Sequence, residues 1–184
     1  MTEARSDSAP KPPMQPLEPP DSQHLAAAEG WLDLGDHVEA NEELEKITPR
    51  LRVHPDVLQV RWQVFARAQE WDACRNVSEA IIQLAPDRAS GWITKSIALH
   101  GLKRFQEAWE ALLPVVEKFP HVPAIPYDLA CYACRMGKLE EARLWLARAF
   151  DMAKRAGDKK RTRLMALDDP DLEPLWKEIG NLGP

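Results

Sequence analysis

Cys131 and Cys134, three residues apart, form the tightest group of chemically capable side chains in this sequence. A CxxC pair can hold haem, half-ligate zinc or cycle as a redox dithiol, and each use needs companions. Haem attachment needs a histidine directly after the second cysteine, where Arg135 stands. Tetrahedral zinc needs two more ligands, and His121, the nearest histidine in sequence, has no partner at finger-like spacing. A thioredoxin-like dithiol needs a βαβ setting, and nothing around the pair alternates as strands do. The two cysteines, with Cys74, therefore read as free thiols in small helical positions. The chain has no glycine-rich phosphate loop, HExxH pair or GxSxG elbow, and the carboxylates of 39–45 (EANEELE) look like a solvated helix face. The expectation is a non-enzyme that uses no cofactor, no metal and no small-molecule substrate.

One region is basic. Arg148, Lys154, Arg155, Lys159, Lys160, Arg161 and Arg163 stand against Asp151 and Asp158. Two readings are open: cations favoured near a helix C-terminus, or a contact for an acidic protein or a nucleic acid. The net charge of −5 and pI near 5.6 weigh against a general phosphate-binding surface, which displaces counterions with a basic stripe. No stretch reaches the roughly 20 apolar residues that cross a bilayer, and the N-terminus lacks a signal-peptide apolar core. Three cysteines do not make a secreted disulfide framework. A soluble, cytoplasmic protein without membrane insertion is expected.

These side chains must be positioned by helices. Residues 1–22 hold six prolines and little that could fill a core, so they are expected to form a disordered tail. Pro10, Pro13 and Pro16 there approach the spacing of a polyproline ligand. From Gln23 onward, apolar residues recur at three- and four-residue intervals between short breaks. His37, Trp71, Phe105 and Leu139 lie 34 residues apart, each followed three residues later by Ala40, Cys74, Ala108 or Ala142. Seven further on come Ile47, Ile81, Val115 and Ala149, and prolines close two copies at Pro86 and Pro120.

Period and contents resemble the tetratricopeptide repeat (TPR), over about residues 23–156. The third copy (Trp92, Leu99, Phe105, Ala108, Leu112, Val115, Pro120) and the fourth (Leu129, Ala130, Ala133, Gly137, Ala142, Leu146, Ala149) match best. The resemblance implies an all-α fold: an α-solenoid of four helix-turn-helix hairpins near 24–52, 56–84, 89–118 and 124–156, in a right-handed superhelix. Capping helices are expected over 157–184, with Leu164, Leu167, Leu175 and Trp176 as a lid over an outer face that carries Leu144 and Ala147. Ala28, Ser96 and Ala130 should sit at hairpin crossings, and Trp31, Phe65 and Leu99 between hairpins. Three departures predict irregularity: Trp62 at a crossing position, Pro49 interrupting the second helix, and Pro114 kinking a helix that packing holds together.

For function, the resemblance implies a non-catalytic protein- or peptide-binding scaffold whose first helices line a concave groove. Helical phase turns inward Leu25, Glu29 and Leu32, then Gln59 and Gln63, then Ile93, Ile97 and His100, and finally Tyr127, Cys131 and Cys134. The lysine–asparagine carboxylate clamp of chaperone-tail binders is absent, since those positions hold Leu25, Glu29, Val60, Ser90 and Thr94. Such a groove should prefer a segment with apolar anchors and a basic residue near Glu29. Burial of these side chains against adjacent hairpins is the competing reading. A structural subunit of a larger assembly, or a monomer or weak homodimer meeting through a terminal face, is the alternative, with nucleic acid binding through 148–163 ranked last.

Overall fold

The computed structural model describes residues 16–181, and all its regular structure is helical. The reading of Pro10 and Pro13 as a polyproline ligand falls outside these residues. Eight helices pair in chain order: α1 (Asp21–Asp33) with α2 (His37–Lys46), α3 (Pro55–Arg67) with α4 (Trp71–Leu84), α5 (Ala89–Gly101) with α6 (Phe105–Leu112), and α7 (Ala124–Arg135) with α8 (Leu139–Arg155). Helices α9 (Lys159–Asp168) and α10 (Trp176–Asn181) follow, joined by a 3-10 segment, Pro170–Leu175.

The four hairpin turns share one backbone solution. Residues 35, 69, 103 and 137 all adopt the left-handed region, with φ of 86° at Gly35, 59° at Gln69, 60° at Lys103 and 73° at Gly137. In each turn the next residue donates its N–H five residues back: Asp36 to Trp31, Glu70 to Phe65, Arg104 to Leu99 and Lys138 to Ala133. This six-to-one bond closes a Schellman turn and satisfies carbonyls left open at the first helix's end. The 34-residue register is thus repeated in the hydrogen bonding as well as in the side chains.

Within each hairpin, small residues let the helices approach. Ala28, Ala40, Cys74, Ser96, Ala108, Ala130 and Ala142 have no exposed surface. Trp62 takes the crossing position of the second hairpin, yet α3 and α4 remain unbroken and closely paired. Its indole, 8% exposed, lies in a cluster with Cys74 and Ala98, so small neighbours supply the volume it needs. Leu99 is buried and Phe65 half-buried between hairpins, as expected, whereas Trp31 is 36% exposed. Trp31 is the first copy's counterpart of those residues, and no earlier hairpin among the described residues covers it.

Pro49 and Pro114 follow helix ends. Helix α2 ends at Lys46, and Pro49–Leu51 forms a 3-10 turn. Pro114 does more than kink its helix: α6 ends at Leu112 and passes into a 3-10 turn, Leu113–Val115, because proline removes an N–H and clashes with the preceding turn. At the C-terminus Leu172, Leu175 and Ile179 are at most 1% exposed and join the core cluster built on α7. Leu164, expected in the lid, is 59% exposed; α9 instead buries Ala166. Leu144, expected beneath the lid, is 73% exposed.

Candidate partner-binding surface

The first helices α1, α3, α5 and α7 carry the residues that helical phase turns toward one face. At the N-terminal end that face is open: Glu29 and Gln63 are exposed, and Leu25 and Gln59 are half-buried. Leu32 differs, being 4% exposed and part of the first hairpin's core. Ile93 and Ile97 on α5 are half-buried beside this region. Of the positions that replace a carboxylate clamp, Val60 and Thr94 are buried, and Thr94 Oγ1 accepts from Ser78 Oγ at 3.1 Å.

At the other end the same face is covered by the chain itself. The 3-10 segment after α9 lies against α7, and its capping residue Asp169 meets two of the expected site residues. Tyr127 donates its hydroxyl to Asp169 Oδ2 at 3.0 Å, and Cys131 Sγ lies 3.6 Å from the same oxygen. Asp169 Oδ1 accepts from the N–H of Asp171, and its carbonyl accepts from the Trp176 indole at 3.1 Å. Asp171 bridges to α5 and α7: one carboxylate oxygen stands 2.6 Å from His100 Nε2, off the line of a hydrogen bond, and the other 3.5 Å from Arg135 Nε. His100 stacks on Tyr132, whose hydroxyl reaches Ser96 Oγ at 3.0 Å. Tyr127, Cys131 and Cys134 are accordingly buried, and His100 half-buried.

No protein-family model matches the chain, and no curated protein matches it. The chain is similar to solved structures of MamA. One, MamA MSR-1 C2, superimposes with a TM-score of 0.61 at 20% identity, over 72% of this chain and 76% of that one. A MamA mutant gives a TM-score of 0.56 at 19% identity, over 70% and 75%. MamA is a TPR-like helical protein, so this chain has the fold of a TPR-like solenoid. No helix among the described residues is long and apolar enough to cross a membrane.

Beneath the covering segment the electrostatics are those of a dry joint. Burial pushes the Cys134 thiol up to about 11 and raises Cys131 further, with Asp169 adding to the effect. Cys74 is likewise pushed up to about 11 by burial. Thiolates are the reactive form, so all three are poor nucleophiles at neutral pH. Burial also raises the Asp128 carboxyl to about 7, with Asp169 reinforcing and His100 opposing the shift; its Oδ2 is buried without a hydrogen-bond partner.

Sequence reasoning placed Tyr127, Cys131 and His100 on one face but missed Asp128, Asp169 and Asp171. Asp followed by Pro, as at Asp169 and Pro170, is a local signal for a helix start. Its second use, as an anchor to residues about forty positions earlier, has no local signal.

Proposed function

We propose that the chain is a non-catalytic scaffold that binds a protein or peptide segment along the inward face of α1, α3 and α5. The observation that carries this reading is the pairing of half-buried Ile93 and Ile97 with the polar, exposed Glu29 and Gln63 and the half-buried Gln59 on the same register positions. Apolar anchors with a polar surround fit the usual anatomy of a recognition surface. The α7 part of that face is taken by the chain's own segment, which lays two leucines and two carboxylates onto it. A partner therefore occupies the N-terminal and central groove, and a basic residue near Glu29 complements it. No residue of the face is assigned a catalytic role.

The test is affinity capture from the native cell with the tagged full chain, with partners identified by mass. Ile97→Asp and Gln63→Arg, introduced together, should abolish capture of the specific partner while helicity and a cooperative melt are retained. Unaltered capture by that variant would move the binding site off this face. Tyr127 is unsuitable for the same test, because charging it would break the joint with Asp169.

A further inference from the structure

The outer face of α8 departs from the three second helices before it. In the 34-residue register Leu144 stands where earlier copies hold Glu42, Asn76 and Glu110, all exposed. One turn on, Ala147 replaces Glu45 and Glu79, with Leu113 in the third copy. Earlier copies thus mostly present polar side chains here, as solvent-facing positions do, whereas α8 presents Leu144 with 73% of its surface exposed.

This apolar stripe lies between two clefts. On one side a cleft of about 410 Å³ opens between α8 and the C-terminal elements, floored by Leu146, Phe150, Leu175 and Ile179. On the other side a second cleft of about 410 Å³ runs past Leu144 toward Met152 and Pro120. Ala147 and Asp151 border both, so they form a low ridge with a groove on each flank. A low ridge of small side chains between grooves receives another helix, whose own side chains drop to either side.

The rim charge selects the kind of helix. Residues 139–168 carry eight cations against five carboxylates, in a chain of net charge −5. Arg143 is engaged by Glu140 and Glu178, and Arg148 by Glu117. Lys154, at the first cleft, and Arg155, at the second, are exposed and form no ion pair among the described residues. The one acid on the ridge, Asp151, lies at helical spacing from Arg148, Lys154 and Arg155, so cations outweigh it.

We propose that this end face of the solenoid docks an acidic amphipathic helix of a second protein, lying along α8 with apolar side chains in the two clefts and carboxylates toward Lys154 and Arg155. Duplex nucleic acid fits less well, because phosphates have no use for an exposed leucine and an apolar floor. An anionic membrane is the other competitor, since α9 exposes Leu164 and Met165, but a flat bilayer leaves recessed clefts unfilled. The site is separate from the inward face of α1, α3 and α5.

The test uses the ¹⁵N-labelled full chain and a synthetic helical peptide of about 18 residues, long enough to follow α8, with leucines on one face and glutamates flanking them. Amide shifts should centre on Leu144, Ala147 and Asp151, and binding should weaken roughly tenfold at several hundred millimolar salt. Leu144→Glu, and separately Lys154→Glu with Arg155→Glu, should each lose roughly tenfold or more in affinity with melting unchanged. Equal binding of a peptide with lysines in place of the glutamates would overturn the proposal. So would shifts away from α8, parental affinity in both variants, or no peptide binding where phosphatidylserine vesicles or duplex DNA do bind. An Ile97→Asp variant should bind the peptide like the parent, which separates this outcome from that of the groove reading.

Discussion

Gln69 and Lys103 occupy turn positions that Gly35 and Gly137 hold in the outer hairpins, at the same positive φ. A side chain in that region costs about 1 kcal/mol that glycine does not incur. Gln69→Gly and Lys103→Gly should each stabilise the fold by about 0.5–1 kcal/mol in urea titrations, while Gly35→Ala and Gly137→Ala should destabilise it by about 1 kcal/mol. Space is no obstacle at the two glycines, since an added Cβ would meet nothing within 4 Å, so backbone conformation alone decides the sign. Asp128 gives a residue-scale pH dependence. Its carboxyl is raised from an ordinary 3.8 to about 7, so the folded state favours the protonated form. The chain's stability relative to an Asp128→Asn variant is therefore best below the unfolded value, falls as pH rises from about 4 to 7, and stays low above that. Thermal melts should show the variant gaining several degrees on the parent at pH 8 and little or nothing at pH 4.

At the scale of elements, joints differ in how much shape change they tolerate. Helix α5 ends against α4 at Gly101, where an added Cβ would lie 2.3 Å from the Trp71 indole. That ring is rigid, half-buried and packed against a buried cluster, so Gly101→Ala should cost about 1–3 kcal/mol by overpacking, read as a lower melting temperature. Buried leucines should hold the C-terminal segment more strongly than its polar contacts do. Leu172 and Leu175 are at most 1% exposed, and Leu175→Ala should cost about 2–5 kcal/mol. Tyr127→Phe removes one hydrogen bond to Asp169, which keeps its bond from the Asp171 N–H; the expected loss is about 1 kcal/mol. A larger loss from Tyr127→Phe than from Leu175→Ala in parallel denaturations would show the polar anchor to dominate. The repeat register made the hairpins legible because local burial has the same period as the sequence. It could not show that α6 passes into a 3-10 turn after Leu112, since whether neighbouring contacts hold a proline-containing helix together is settled by packing.

For the molecule as a whole, the C-terminal segment packs on α7 and covers Tyr127 and Cys131. Removing residues 158–184 uncovers Tyr127, Cys131 and Cys134 along with the apolar surface beneath Leu172 and Leu175. The shortened chain should melt at lower temperature and self-associate in light scattering, as a repeat array without its terminal cap does. A shortened chain that stayed monomeric and equally stable would reduce the segment to an appendage. The sequence by itself determined the class of fold, the 34-residue register and the small residues at the crossings, because each follows from spacing along a helix. Tertiary structure alone decided that Asp169 turns back onto Tyr127, that Asp171 reaches His100, and that Leu144 stays in solvent while Leu175 does not. Those outcomes join residues 35 to 75 positions apart or depend on what covers a face, and local periodicity fixes which side of a helix is apolar without fixing what packs against it.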